Sequence, residues 1–136
     1  MNKKIIGYDA KRIVRNGTGL GSYGRTLIND LAPLMPDTNL RLYAPDAGRD
    51  DLRNQVELRD NMQFCYPDHL RFRLQRDWWR VKGVVKDLKA DGVELYHGLS
   101  GELPSGLAAA GIPSVVTVHD LIFLRHQIGR ASCRER

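Results

Sequence analysis

Three short hydrophobic runs each end in a side chain able to do chemistry. Residues 4–8 (KIIGY) are followed by Asp9, residues 93–96 (VELY) by His97, and residues 114–118 (SVVTV) by the pair His119 and Asp120. Each run is long enough for a strand and too short for a helix. Segments of helical periodicity lie between them, and strands alternating with helices imply a parallel sheet joined by right-handed crossovers. If the three runs are neighbouring strands, their polar ends open onto one crevice at the carboxyl edge, where open α/β sheets bind ligands. The expected fold class is therefore α/β, a Rossmann-like parallel sheet with helices on both faces.

The rest of the chain fits that frame. After the segment Gly17-Thr18-Gly19-Leu20-Gly21-Ser22-Tyr23-Gly24, apolar residues recur at Leu20, Tyr23, Leu27, Ile28 and Leu31, a helical spacing that Pro33 and Pro36 stop. Residues 39–44 alternate as a strand closed by Pro45, residues 46–61 are polar loop with room for one helical turn, and residues 63–66 are a third candidate strand. Leu70, Leu74, Trp78, Val81, Val85 and Leu88 then predict one long amphipathic helix with this stripe toward the core. Phe72 and Trp79 fall opposite, among Arg73, Arg76, Arg80, Lys82 and Lys86. Asp91 and Gly92 end it, and residues 107–110 read as a short helical piece.

A chain that is 42% hydrophobic and 27% charged is ordinary for a globular protein. Charged residues interrupt every apolar run, so none approaches the roughly 20 residues of a membrane span. The start, Met1-Asn2-Lys3-Lys4, passes straight into the first strand with no room for a secretory signal, which makes the cytoplasm the expected location. Cys65 and Cys133 are too few and too far apart for a disulfide framework or a zinc site. Residues 127–136 have no periodicity and resemble translated adapter sequence, so the domain is expected to occupy residues 1–126 and the tail to be non-native. Without residues 128–136, which carry three Arg and one Glu, the net charge falls from +5 to +3.

Gly19, Gly21 and Gly24 have the spacing G-x-G-x-x-G, whose backbone N–H groups can approach phosphate oxygens at a helix start. The same glycines can instead serve a tight turn and close packing. The dinucleotide version of the motif wants them directly after the first strand and an acidic residue closing the second. Here residues 10–18 intervene and the second strand ends in Tyr43-Ala44-Pro45, which disfavours a nicotinamide-dependent oxidoreductase. The pair His119 and Asp120 can hydrogen-bond a sugar hydroxyl, orient a nucleophile or stabilise charge. His97 could act beside them or be satisfied structurally, and Asp9 could hold substrate hydroxyls or cap the loop at Ala10. No residues show metal-ligand spacing, and Ser100 and Ser105 lack a nucleophile elbow. Phe72 and Trp79 in a basic helix face could contact an anionic membrane surface, the alternative being that a neighbouring element covers them. Nucleic-acid binding has less support, because the charge is modest and the aromatics form no stacking platform.

Taken in order, Ile6-Gly7-Tyr8-Asp9-Ala10, the glycine segment leading into a helix, Val93-Glu94-Leu95-Tyr96-His97, and Val116-Thr117-Val118-His119-Asp120-Leu121 with Phe123, Leu124 and His126 resemble the amino-terminal domain of glycosyltransferase family 4. The family has the GT-B architecture, two Rossmann-like domains facing across a cleft. It usually has Pro after the position of His126, where this chain has Gln127. The resemblance implies retaining transfer of a sugar, with mannose the first expectation, from a nucleotide-sugar donor and with no essential metal or other cofactor. Gly19 and Gly21 would approach the donor diphosphate, and His119 would lie beside the transferred sugar with Asp120 orienting it. Asp9, Tyr23 and His97 would line the acceptor side. The acceptor would be a saccharide or a polyprenyl-linked saccharide in surface-polysaccharide synthesis, and the enzyme would be peripheral at the inner membrane face. The carboxyl-terminal domain of that family, with its paired glutamates, is absent from this sequence, so the chain alone is expected to be inactive and to expose an apolar edge. A non-catalytic membrane-binding or partner-binding module is the reading from another class. The transferase reading requires His119 on the same side of the sheet as Gly19 and Gly21.

Overall fold

The computed structural model describes residues 3–67 and 72–119. It is α/β, with five strands in one all-parallel sheet: β1 (Lys4–Asp9), β2 (Thr38–Tyr43), β3 (Met62–Cys65), β4 (Leu95–Gly98) and β5 (Ser114–Val116), in the order β3-β2-β1-β4-β5. The chain leaves β1 toward β2 on one side and returns from β3 to β4 on the other. The order therefore reverses between β1 and β4, the switch point at whose carboxyl edge open α/β sheets bind ligands. The helices are α1 (Lys11–Arg15), α2 (Gly19–Leu31), α3 (Asp50–Arg53), α4 (Arg73–Trp78) and α5 (Val84–Ala90), the last two joined by a π-helical turn, Trp79–Gly83.

Both faces of the sheet are covered, and the period-2 alternation of the strands decides which residue faces which layer. Ile6 and Tyr8 of β1 and Leu40 and Leu42 of β2 pack against Ile13 and Val14 of α1 and Ile28 of α2. Ile5, Tyr43 and Tyr96 point the other way, onto Trp79, Val84, Leu88, Leu107 and Ile112. Gly7 lies on this second face, where a Cβ would stand 3.1 Å from Leu88 and 3.2 Å from both Tyr43 and Tyr96. Its lack of a side chain is what lets α5 come down on the sheet. Asn61 is buried, and its amide nitrogen donates to the carbonyls of Ala32, Met35 and Thr38, satisfying the chain where it enters β2.

The structure departs from expectation in four places. Residues 11–15 form α1 within the stretch read as loop, because Ile13 and Val14 bury fully once the helix forms. Residues 107–110 form turns rather than a helix, and β5 is three residues long. The largest departure is the long helix. Its stripe is inverted at the amino end, where Leu74 is 81% and Trp78 60% exposed, while Trp79 is buried at 5%. The buried residues are Trp79, Val84 and Leu88, spaced by five and then four. The wider π turn carries an i,i+5 pair to one face and resets the helix phase before α5 begins. Leu70 lies outside the described residues.

Candidate functional site

Asp9, His97 and His119 lie at or just beyond the carboxyl ends of β1, β4 and β5, adjacent strands of one sheet. They do not form one cluster. Tyr8 is the register partner of His97, and the two rings meet at 5.6 Å between centroids. Asp9, one residue on, leaves the sheet by the opposite face. There its Oδ1 accepts the Lys11 backbone N–H at 3.2 Å and its Oδ2 accepts from Arg80 Nη2 at 2.8 Å. Only 5% of Asp9 is exposed, and Arg80 also binds Glu102 at 2.5 Å. Asp9, read from the sequence as either holding substrate hydroxyls or capping the chain at Ala10, has one carboxylate oxygen in a buried ion pair and the other on the first N–H of α1. The π turn aims Arg80 at this pair, and the Val81 carbonyl in the same turn accepts the Ser105 N–H at 2.7 Å.

On the α2 side Tyr23, His97, Thr117 and His119 come together. Tyr23, one turn into α2 and within the glycine segment, stands edge-on to the His119 ring with centroids 4.5 Å apart and planes at 87°. Its hydroxyl lies 3.4 Å from Thr117 Oγ1, which is itself 2.6 Å from His97 Nε2. His119 Nε2 lies 2.5 Å from the Leu99 carbonyl oxygen. A carbonyl can only accept, so Nε2 carries a proton and, in the neutral ring, Nδ1 holds the lone pair. Burial lowers the His97 pKa and pushes the Tyr8 phenol beside it up to about 12. The result is a rim of two imidazoles, a phenol and a hydroxyl, three of them tied through Thr117. His119 is on the same side of the sheet as α2 and its glycines.

Thr117 and the Leu99 carbonyl were not singled out in the sequence. A usable signal existed for Thr117, because residues 117 and 119 share one face of an extended chain, so a hydroxyl two residues before the histidine had to lie beside it. Asp120 lies outside the described residues.

The glycine segment is built differently from a phosphate cradle at Gly21. Asn16 Oδ1 accepts the N–H groups of Thr18 at 2.8 Å and Gly21 at 3.2 Å, so the Gly21 amide already has its partner. A Cβ on Gly21 would stand 1.9 Å from the Asn16 carbonyl oxygen and 2.7 Å from that of Arg12, whereas around Gly19 nothing lies within 4 Å. Gly21 therefore serves close packing of α1 on α2, and only Gly19 offers an open approach. Arg25 is buried at the same junction and donates to the carbonyls of Ile13 and Asn16, closing the end of α1.

Of the two aromatics assigned to a membrane face, Phe72 is exposed and Trp79 is not. Trp79 is corrected to a core residue whose Nε1 donates to Asp87 Oδ2 at 2.6 Å. Among the described residues no helix is long and apolar enough to cross a membrane, and no three His, Cys, Asp or Glu side chains converge as a metal site would. No protein-family model matches the chain, and a search of curated proteins finds no match.

Proposed function

We propose that the chain is the acceptor-side, amino-terminal part of a retaining glycosyltransferase, which moves a sugar from a nucleotide-sugar donor to a saccharide or lipid-linked saccharide. The observation that supports this reading is the contact of Tyr23 with His119 and Thr117, which joins the helix carrying the glycine segment to the chain just beyond β5. A saccharide needs an aromatic surface for its C–H face and several hydrogen-bonding groups for its hydroxyls. Tyr23, His97, Thr117 and His119 supply that combination on one rim.

In this reading His119 accepts a sugar hydroxyl at Nδ1 while the Leu99 carbonyl holds Nε2. Thr117 orients His97, and Tyr23 gives the sugar a wall. Gly19 is the backbone position open to a donor phosphate. Donor and acceptor must be held in register for transfer, since positioning supplies much of the rate. One Rossmann-like unit holds one side of that clamp.

The test is a nuclear magnetic resonance titration of the chain with methyl α-mannoside and with an α-mannobiose. Shifts are expected at the side-chain resonances of Tyr23, His97, Thr117 and His119, and the shifts at the other three are expected to vanish in His119→Ala. Shifts confined to other residues, or unaltered in His119→Ala, would overturn the reading.

A further inference from the structure

The second face of the sheet is covered unevenly. α3, which lies between β2 and β3 in the chain, packs against α1 on the first face, and α5 comes down over β1, where Leu88 meets Gly7. The strip beside it, over β2 and β3, stays open as a cavity of about 670 Å³. Small-molecule sites commonly measure roughly 300–1,000 Å³. Arg41 of β2 with Gln63 and Cys65 of β3 form the floor, because the two-residue period puts them on the same face as Tyr43. The helical segment supplies the wall with Trp78, Lys86, Asp87 and Asp91. Tyr66, stacked on Phe64 with centroids 6.0 Å apart, adds a second aromatic to the lining.

Two features of the lining decide what it can hold. The first is a fixed aromatic surface. The π turn sends Trp78 outward, and its indole rests on the chain at Gly83, where a Cβ would stand 2.9 Å from Cζ3 and 3.4 Å from Cε3. A large exposed ring seated on backbone is ordered before any ligand arrives. The second feature is balanced charge, with Arg41 and Lys86 set against Asp87 and Asp91. Arg41 lies 3.5 Å from Asp91 Oδ2, which also accepts the Tyr43 hydroxyl at 2.8 Å, and Asp87 Oδ2 accepts the Trp79 indole N–H at 2.6 Å. Oδ1 of each carboxylate keeps its accepting capacity. Lys86 is exposed and pairs with no carboxylate among the described residues, so its N–H groups can donate.

We propose that this cavity holds a neutral oligosaccharide, with the C–H face of one sugar ring on Trp78 and its hydroxyls shared among Asp87, Asp91, Lys86 and Gln63. A sugar hydroxyl both donates and accepts, which suits a lining that offers acceptors and donors with no net charge. A phosphorylated ligand would bring its charge against Asp87 and Asp91. An aromatic ligand without hydroxyls would stack on Trp78 and leave the carboxylate oxygens without partners, at a cost. The cavity and the rim of Tyr23, His97, Thr117 and His119 lie on opposite faces of the sheet, so neither site depends on the other.

The experiment titrates the whole chain with the neutral sugars maltotriose, cellotriose and mannotriose, with trigalacturonic acid, and with p-cresol. Two signals are followed: tryptophan emission, and the rate at which N-ethylmaleimide alkylates Cys65 in Cys133→Ser. At least one neutral sugar is expected to change the emission and slow the alkylation with a common midpoint. Trigalacturonic acid should bind more weakly than that sugar, and p-cresol should not protect Cys65. Trp78→Ala should raise the midpoint of protection about tenfold and Trp78→Phe no more than about threefold, with buried Trp79 still reporting the fold in both. Lys86→Ala should raise it about fivefold through a lost charged hydrogen bond. Protection by none of the neutral sugars, or protection unaltered in Trp78→Ala, would overturn the proposal. Tighter binding of trigalacturonic acid would make the cavity an anion site, and protection by p-cresol above that of every sugar would make it an aromatic one. His119→Ala should leave protection of Cys65 unchanged, and its loss there would place the bound sugar at the rim. Failure here with the rim shifts intact strikes this inference alone, and the reverse result strikes only the transferase reading.

Discussion

Gly19 and Gly21 sit two residues apart in one helix and are expected to respond oppositely to the same substitution. Gly21→Ala drives a methyl into two backbone carbonyls of the α1 end, neither of which can swing aside. A loss of about 3 kcal/mol follows. Gly19→Ala meets open space and should be neutral or gain up to about 1 kcal/mol from helix propensity. Urea unfolding midpoints of the two variants check this, and equal effects would contradict the packing account. The spacing G-x-G-x-x-G was legible in the sequence, but its use was not. Spacing gives no information about a neighbouring carbonyl nine or five residues back. His97 carries a pH prediction of the same local kind. Burial lowers its folded pKa below the unfolded value of about 6.5, so between the two the unfolded chain binds more protons. The stability this contributes is complete above pH ~6.5 and is lost as pH falls through the folded pKa. A urea series over that window should show less pH dependence in His97→Gln than in the wild type.

The π turn is the element on which the second face of the molecule depends. It puts Trp79, Val84 and Leu88 on one side, aims Arg80 at Asp9, and leaves the Val81 carbonyl for Ser105. Arg80→Met would strand the Asp9 carboxylate in a site only 5% open to solvent, at a cost of about 3 kcal/mol. Glu102→Gln removes the other partner of Arg80. Because the Glu102 side chain is 55% exposed, that change should cost under about 1 kcal/mol. Thermal unfolding of the two variants tests the ordering, and a larger effect for Glu102→Gln would show that Asp9 does not depend on Arg80. This element was only half legible. The apolar residues were all visible, but a period of 3.6 assumed throughout places Leu74 and Trp78 inward and Trp79 outward. Gly83 was the available clue, since a Cβ there would stand 2.9 Å from Trp78 and 3.1 Å from Trp79. Strand content was easier to read, because β1, β2 and β3 are bounded by polar or proline residues that admit no other period.

At the scale of the whole sheet, the order β3-β2-β1-β4-β5 brings the three polar strand ends together, as alternating strands and helices demanded. Which face each end uses is a separate matter, and the two-residue period splits Asp9 from His97 although the same edge carries both. Among the described residues the order also leaves two edges of different character. β3 carries Gln63 outward, with Phe64 and Cys65 partly buried against the two cores. β5 is Ser114, Val115 and Val116, all exposed, and Val118 beyond it is exposed as well. An apolar edge strand offers its unpaired backbone groups to another chain. Association should therefore run through β5, grow with protein concentration, and fall when a charge is placed there. Val116 pairs with Gly98 in the ladder, and its side chain stands off the sheet, so Val116→Lys keeps the backbone bonds while charging the surface. Light scattering over a concentration series should show reduced association for Val116→Lys and no change for Gln63→Lys on the opposite edge. If the two lysines act equally, net charge governs solubility. If Gln63→Lys alone acts, the exposed edge is β3, and the valines at the end of the sheet are covered.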